Sequence, residues 1–197
     1  GTLHPYKKWV PSDQARIAFG YGISASLFQV ARAYTIFARD GELVPLTIER
    51  SPEFKPGTPV ISAKTAIEMR SMLETVTEPG GTAVKAQAEG FRVGGKTGTA
   101  HKLVGKGYGN KYRAYFVGLA PISAPRIVVA VMIDEPTGGS HYGGDVAAPV
   151  FSTIVSETLH TLNVLPDAKV KQMVLQNTAP EEVRTANAQA QHVVLKR

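Results

Sequence analysis

Lys96-Thr97-Gly98-Thr99, which follows Val93-Gly94-Gly95, combines a cation, two hydroxyl groups and a position without a Cβ atom. Side chains on a strand alternate between faces, so this spacing predicts Thr97 and Thr99 on one face and Lys96 and Gly98 on the other. Two hydroxyl groups on one face can hold the two oxygens of a single carboxylate. The segment therefore predicts a strand that binds an anionic substrate.

The other face of this strand predicts a junction with a second element. A glycine inside a strand often marks the close approach of a backbone or a ligand, so we expect a helix bearing a nucleophile beside Gly98. Lys96 would bring positive charge to that junction, where it could support a proton relay. The alternative is an ordinary hairpin strand, because threonine favours β structure in any case.

The motifs that usually accompany Lys-Thr-Gly are missing from this sequence. In serine acyl-transferases of this kind a Ser-x-x-Lys supplies the nucleophile and a second serine motif relays protons. No serine here is followed three positions later by lysine, and Ser12-Asp13-Gln14 ends in the wrong residue for the second motif. The sequence therefore contains half of such a site.

Flanking motifs extend the pattern along the chain. In order they are Phe19-Gly20-Tyr21-Gly22-Ile23-Ser24, Leu27 to Tyr34, Gly80-Gly81-Thr82-Ala83, the tetrad at 96–99, Gly143-Gly144-Asp145 and Ala148-Pro149-Val150-Phe151. Over about residues 5 to 167 this order resembles the second half of the penicillin-binding protein transpeptidase domain. The resemblance is strongest to the division-specific class B group typified by penicillin-binding protein 3.

The resemblance implies both a fold and an activity. The implied fold is of α/β (α+β) type, an antiparallel sheet sandwiched between helices as in serine β-lactamases, with only its C-terminal part present. The implied activity is D,D-transpeptidation during septal wall synthesis. A serine attacks a D-Ala-D-Ala stem peptide of peptidoglycan and passes the acyl group to an amine of a second stem; β-lactams acylate the same serine. No cofactor is implied.

The resemblance also assigns roles to residues. Lys96 and Thr99 are the expected catalytic residues, with Lys96 bridging to the relay serine and the Thr99 backbone N–H in the oxyanion hole. Thr97, Gly98 and Thr99 are expected to bind substrate. Tyr112 and Tyr142 match positions that form an apolar wall against β-lactam side chains. Packing is the alternative for Tyr112, since aromatic residues favour strands.

Several parts of such a protein are expected outside this sequence: a membrane anchor, a non-catalytic domain and the N-terminal part that carries the nucleophilic serine. The resemblance implies a location at the periplasmic face of the bacterial inner membrane and contacts with other division proteins. Within the chain we expect residues 1–167 to form the C-terminal part of the transpeptidase domain. Residues 168–197 are expected to form a polar tail, because they lack a sustained apolar face.

Composition excludes other classes of function. The 197 residues, 43% of them hydrophobic, can bury one substantial core. Part of the net charge of +6 comes from basic residues around the tetrad, namely Lys96, Lys102, Lys106, Lys111 and Arg113. Their charge predicts steering of anions, and no nucleic-acid-binding signature accompanies it. The five histidines lack metal-ligand spacing, so no metal site is expected. We expect His101 and His141 at the rim of the site.

Periodicity predicts the secondary structure. Ser24 is expected to cap a helix that ends before Gly41, and a second helix is expected from Ser62 to Pro79-Gly80-Gly81. Three strands joined by hairpins are expected at about 91–103, 112–120 and 126–133. The last strand is almost continuously apolar, which predicts helices on both faces of the sheet. A final helix is expected from about Asp145 to Leu162.

Three functions remain open from the sequence. The first is the transpeptidase, and the second is a serine β-lactamase or penicillin-sensing domain, which shares the Lys-Thr-Gly motif. The third is a non-catalytic module of the same fold that binds cell-wall peptides or division partners, for which the missing nucleophile is the best argument. A Ser-x-x-Lys upstream of Gly1 would favour the first.

Overall fold

A computed structural model of the chain describes residues 1–3, 5–18, 20, 22–49, 56–104 and 107–168. Lys106 and the predicted tail beyond Ala168 lie outside these residues. In chain order the strands and helices are β1 (Thr2–Leu3), α1 (Pro11–Ala18), β2 (Ile23–Ser24), α2 (Leu27–Ala38), β3 (Glu42–Leu43), β4 (Thr58–Pro59), α3 (Ala63–Thr75), β5 (Gly94–Val104), β6 (Gly107–Ala120), β7 (Ile127–Asp134), α4 (Gly143–Val146) and α5 (Ala148–Thr161). Short 3-10 turns lie at Tyr6–Lys8 and Val84–Ala86.

The central feature is an antiparallel sheet in the order β5-β6-β7. The tetrad lies on β5, where Lys96 pairs with Val117 and Thr99 with Ala114 of β6. The three predicted strands and their hairpin links are confirmed, although β6 begins at Gly107, five residues before the expected position. The β5–β6 register shifts between His101 and Leu103, at a β-bulge.

Helix α5 covers one face of the sheet. Phe151, Val155 and Leu159 on α5 are fully buried, and Phe151 meets Phe116 of β6 edge to face with ring centroids 4.7 Å apart. Gly118 permits this approach, since a Cβ atom there would lie 2.9 Å from the Phe151 ring. The core of the chain therefore lies between β6, β7 and α5.

Helices α2 and α3 cover the opposite face. A Cβ atom at Gly94 would lie 2.9 Å from the backbone nitrogen of Glu74 on α3, whereas Gly118, across from Gly95, faces α5. Helix α2 packs against both β7 and α3. Arg70 of α3 joins the two helices, because its guanidinium donates to the Phe37 carbonyl and to Asp40, both at 2.8 Å. The predicted sandwich of a sheet between helices is confirmed.

The end of the chain that the structure describes folds back onto the lead-in to β5. After α5, the carboxylate of Asp167 accepts the backbone N–H groups of Arg92 at 2.7 Å and Ser123 at 3.1 Å. The Ala168 N–H donates to the carbonyl of Gly90 at 3.1 Å. These bonds fix the last described residues to two loops of the sheet.

Three predicted helix boundaries are wrong. Ser24 lies in β2, where its hydroxyl accepts the Thr2 N–H at 2.9 Å, and Ser26 is the residue that caps α2 through a reciprocal pair with Gln29. Helix α3 starts one residue after the predicted Ser62, which caps it, but ends at Thr75, before the Pro-Gly-Gly breaker. The final helix is divided at Ala147 into α4 and α5.

Helix α2 remains incompletely covered within the described residues. None of its side chains is fully buried, although its sequence is mostly apolar, and Phe28 is 59% exposed. Met132 on β7 is 39% exposed and pairs with Tyr115, which lies opposite Gly98. Among the described residues, no helix is long and apolar enough to cross a membrane.

Candidate carboxylate-binding site

A cleft of about 370 Å³ opens beside the tetrad strand. The residues that line it come from β5, from the loop before the Val84–Ala86 turn, from the N-cap of α4 and from α4 itself: Thr82, Thr97, Thr99, Tyr142, Gly143, Gly144 and Asp145. The structure thus brings together three of the predicted site residues, Thr97, Thr99 and Tyr142. Lys96 is exposed at the edge of this group.

The two threonine hydroxyls accept hydrogen bonds from the chain itself. Thr99 Oγ1 accepts the Gly143 N–H at 3.2 Å, and Thr97 Oγ1 accepts from Lys96 Nζ at 3.1 Å and lies 3.1 Å from Thr82 Oγ1. A hydroxyl has one proton to donate and lone pairs to accept with. Because a lone pair of Thr99 Oγ1 accepts the Gly143 N–H, the hydroxyl proton of Thr99 can be donated to an incoming anion. The same holds for Thr97 when Thr82 is the donor of their shared bond.

The Lys96 ammonium reaches the Thr97 hydroxyl, although the alternation of side chains along β5 places the two residues on opposite faces of the strand. Its ammonium lies 3.2 Å from the Thr97 carbonyl and 3.1 Å from the Thr97 hydroxyl, because the long side chain bends around the open edge of β5. Within the described part of the chain Lys96 has no carboxylate partner. The arrangement places an uncompensated positive charge next to two hydroxyl donors.

Gly143 and Gly144 hold α4 against the strands. A Cβ atom at Gly143 would lie 2.1 Å from the Tyr115 carbonyl oxygen, and one at Gly144 would lie 2.0 Å from the Thr82 carbonyl oxygen. Such contacts with backbone atoms cannot be relieved by a rotamer change. Glycine at both positions is therefore what lets the Gly143 N–H reach Thr99.

Gly98 has a different environment. A Cβ atom there would meet the Tyr115 side chain at 3.5 Å, an ordinary van der Waals contact. The described residues therefore do not require glycine at this position. The expected approach of a nucleophile-bearing helix beside Gly98 stays a prediction.

Four aromatic rings form a row along one side of the site. The centroid distances are 4.4 Å from His101 to Tyr112, 3.9 Å from Tyr112 to His141, and 4.5 Å from His141 to Tyr142. Tyr112 and His141 are stacked, with 15° between their planes. Tyr112 and Tyr142 were expected to form a wall together, but they are joined through His141. The sequence predicts His101 and His141 at the rim of the site. His101 joins the row because it pairs with Tyr112 across β5 and β6, and His141 joins it because it precedes Tyr142.

Three basic residues near the tetrad form ion pairs with two carboxylates, and the predicted steering of anions stays a prediction. Lys102 donates to Asp134 at 2.8 Å and to Glu135 at 2.6 Å, Lys111 donates to Glu135, and Arg113 donates to Asp134. Hydrogen bonds from Lys102 and Arg113 lower the pKa of the Asp134 carboxyl, and those from Lys102 and Lys111 lower the pKa of Glu135. These cations therefore fix the far end of the β5–β6 hairpin to the end of β7.

Asp145 is an acidic residue of the cleft lining that the sequence analysis did not assign to the site. Its carboxylate accepts from Lys85 Nζ at 2.8 Å and from the Ser140 hydroxyl at 2.8 Å. These two hydrogen bonds, Lys85 first, lower the pKa of the Asp145 carboxyl. The described residues contain no group of three or more His, Cys, Asp or Glu side chains arranged to hold a metal ion.

Curated relatives of this sequence are peptidoglycan enzymes by name. The chain is 45% identical over 184 residues to the probable peptidoglycan D,D-transpeptidase PenA of Neisseria flavescens, an alignment that covers 93% of this chain and 45% of that protein. It is 41% identical over 168 residues to the peptidoglycan D,D-transpeptidase FtsI of Escherichia coli K12, covering 84% of this chain and 29% of that protein. The chain thus spans less than half the length of these relatives.

A solved structure shares the fold. The apo transpeptidase domain of Burkholderia pseudomallei penicillin-binding protein 3 superposes with a TM-score of 0.79 at 55% sequence identity, covering 86% of this chain and 52% of that one. Residues 1–156 match the family model described as penicillin binding protein transpeptidase domain. The chain therefore belongs to the penicillin-binding protein transpeptidase domain family.

Proposed function

We propose that this chain supplies the carboxylate-binding half of a peptidoglycan D,D-transpeptidase, which cross-links stem peptides through an acyl-serine intermediate and is acylated by β-lactams. The observation that carries the proposal is the pair of threonine hydroxyls in the cleft. Each already accepts a hydrogen bond from the chain, and Lys96 lies next to them. This set of donors matches the terminal carboxylate of a D-Ala-D-Ala peptide.

The strand edge supports the same proposal. In the described sheet β5 pairs with β6 on one side, which leaves its other edge available for an extended peptide added as a further strand. The stem peptide would then run along β5, with its carboxylate at Thr97 and Thr99 and the scissile carbonyl near the Thr99 backbone N–H. Lys96 would contribute positive charge toward the nucleophilic serine and its proton relay.

Further parts of the proposal concern the surroundings of the site. We infer that residues 1–167 form the C-terminal part of the catalytic domain and that the nucleophilic serine lies in an N-terminal part, which packs against the exposed face of α2. The stacked Tyr112 and the exposed Tyr142 would contact β-lactam side chains. We also propose a periplasmic location, with a membrane anchor outside this chain and contacts to other division proteins.

The first experiment compares this chain with the longer protein after incubation with a penicillin. Intact-mass measurement should find one covalent adduct on the longer protein and none on this chain, because the nucleophile lies outside it. A stable adduct on any serine of residues 1–197 would overturn the proposed division of the site.

The second experiment tests the carboxylate contact through Thr97→Val in the longer protein, with Thr97→Ser as the matched control that keeps the hydroxyl. A hydrogen bond to a charged group contributes about 1.5–3 kcal/mol, so the valine variant should bind a penicillin about 10- to 150-fold more weakly. Binding of the methyl ester of the same penicillin, which lacks the carboxylate charge, should be weakened far less by the substitution. Equal losses for acid and ester would contradict the proposed contact.

A further inference from the structure

An ion pair beside the cleft joins two distant parts of the sequence. Lys85, in the turn that follows Thr82, contacts Asp145 of α4 with 2.8 Å between Nζ and Oδ1. The other carboxylate oxygen accepts the Ser140 hydroxyl, also at 2.8 Å. Both side chains remain partly exposed, at 60% for Lys85 and 41% for Asp145. Of the two residues, Asp145 lines the cleft, and the pair lies outside the core.

Hydrogen bonds connect Asp145 to the carboxylate-binding threonine. The Ser140 hydroxyl donates to Asp145. Its oxygen also accepts the Tyr142 N–H at 3.4 Å. Tyr142 is followed by Gly143, whose N–H donates to Thr99 Oγ1 at 3.2 Å. The Tyr142 carbonyl in turn accepts the N–H groups of Asp145 and Val146. Asp145 thus binds the 140–143 segment twice, through its carboxylate to Ser140 and through its backbone N–H to Tyr142. This segment in turn orients the Thr99 hydroxyl through the Gly143 N–H.

The charge of Asp145 conflicts with the ligand that the cleft is suited to bind. A carboxylate in the lining repels a bound carboxylate, because like charges at short range disfavour each other. Lys85 removes this conflict, since its ammonium is in direct contact with Asp145. The pair can therefore keep the hydrogen bonds of Asp145 without giving the cleft a net negative wall.

We propose that Asp145 is a positioning residue for carboxylate recognition by Thr99, and that Lys85 serves to cancel its charge at the cleft. The inference rests on the proposed function, because it assumes that the ligand carries a carboxylate. It assigns roles to two residues outside the Lys-Thr-Gly-Thr tetrad.

The test uses Asp145→Ala, Asp145→Asn, Lys85→Met and the double variant Lys85→Met/Asp145→Asn in the longer protein. Acylation by a penicillin and by its methyl ester is resolved into a binding constant and a first-order acylation rate. Lys64→Met, which breaks an exposed ion pair with Glu68 outside the cleft lining, is the control.

We expect Lys85→Met to weaken binding of the acid roughly three- to tenfold, because it leaves Asp145 unpaired, and to leave the ester almost unaffected. The double variant should recover most of this loss, since asparagine carries no charge and can still bond to Ser140. Asp145→Ala should bind the acid more weakly than Asp145→Asn by a similar factor, because both variants leave Lys85 unpaired but only asparagine keeps the bond to Ser140. The first-order rates should stay within about twofold. Losses that are equal for acid and ester, or that fall on the first-order rate, would overturn the inference while the proposed function stands.

Hydrogen–deuterium exchange provides a second readout that does not depend on acylation. A peptide covering residues 139–147 should exchange faster in Asp145→Ala than in the parent and in Lys64→Met. If the parent protein is not acylated at all, the proposed function fails, and the exchange result decides the positioning role of Asp145. Unchanged exchange in this peptide would overturn that role.

Discussion

Gly143 provides a direct test of the close packing that builds the site. In Gly143→Ala, the added Cβ atom would lie 2.1 Å from the Tyr115 carbonyl oxygen and 2.8 Å from that of Gly98. Both contacts are with the backbone of the sheet, so the neighbouring atoms cannot turn away. Helix α4 would have to move outward, and its Gly143 N–H would leave Thr99.

Three terms set the size of the change in stability. Overpacking at a tightly packed position costs about 1–3 kcal/mol, and the lost hydrogen bond costs about 0.5–1.5 kcal/mol. Alanine also stiffens the unfolded chain, which returns about 0.4–1 kcal/mol. The free energy of unfolding should therefore fall by about 1–4 kcal/mol, a large part of the stability of an ordinary domain.

Urea unfolding followed by circular dichroism measures this change. With a slope of about 2 kcal/mol per molar urea, the midpoint should fall by about 0.5–2 M. Gly138→Ala is the matched control, because no atom lies within 4 Å of a Cβ atom at that position. It should leave the free energy of unfolding unchanged or raise it by up to about 1 kcal/mol, because only the stiffening of the unfolded chain acts there. Equal midpoints for the two alanine variants would refute the packing argument.

Three other substitutions have defined outcomes in the same unfolding assay. Arg70→Met should cost about 1.5–3 kcal/mol, because the buried guanidinium bonds both Phe37 and Asp40, whereas Lys64→Met should change little. Phe151→Ala should cost about 3–5 kcal/mol, since this fully buried ring packs on Phe116, and a loss below 1 kcal/mol would contradict that packing. Asp134→Asn should destabilise the protein most at about pH 7, and the loss should shrink as pH falls below 3.8, because a carboxyl with a lowered pKa stabilises the fold above its ordinary pKa of 3.8 and loses this contribution as pH falls through its pKa in the folded protein. A difference between Asp134→Asn and the parent that does not shrink in acid would contradict this assignment.

Local sequence patterns predicted the elements of the fold better than their ends. The start of α3 is within one residue of the predicted Ser62, which caps the helix, because capping involves only neighbouring residues. The prediction of Ser24 as the cap of α2 is wrong because Ser26 and Gln29 form a reciprocal capping box two residues further on. The early end of α3 reflects tertiary structure: the Ala83 N–H bonds to the Val76 carbonyl, so the chain turns before the glycines.

The site was predictable only in part for a similar reason. The alternation of a strand places Thr97 and Thr99 together, and that relation survives in the cleft. The contact of Lys85 with Asp145 joins residues far apart in sequence, and the neutralisation of Lys102 depends on the pairing of β6 with β7. Such contacts follow from strand order and loop packing, which no local pattern contains.

The bonds of Asp167 have a mechanical consequence. A force applied at Ala168 would not be transmitted to the domain through α5 alone. Asp167 is hydrogen-bonded to the backbone at Arg92 and Ser123, and Ala168 is hydrogen-bonded to Gly90. The force would instead divide between the lead-in to β5 and the β6–β7 turn, at the ends of the strands opposite the aromatic row. Tension from whatever lies beyond residue 168 would thus be taken up by these bonds before it could reach Thr97 and Thr99.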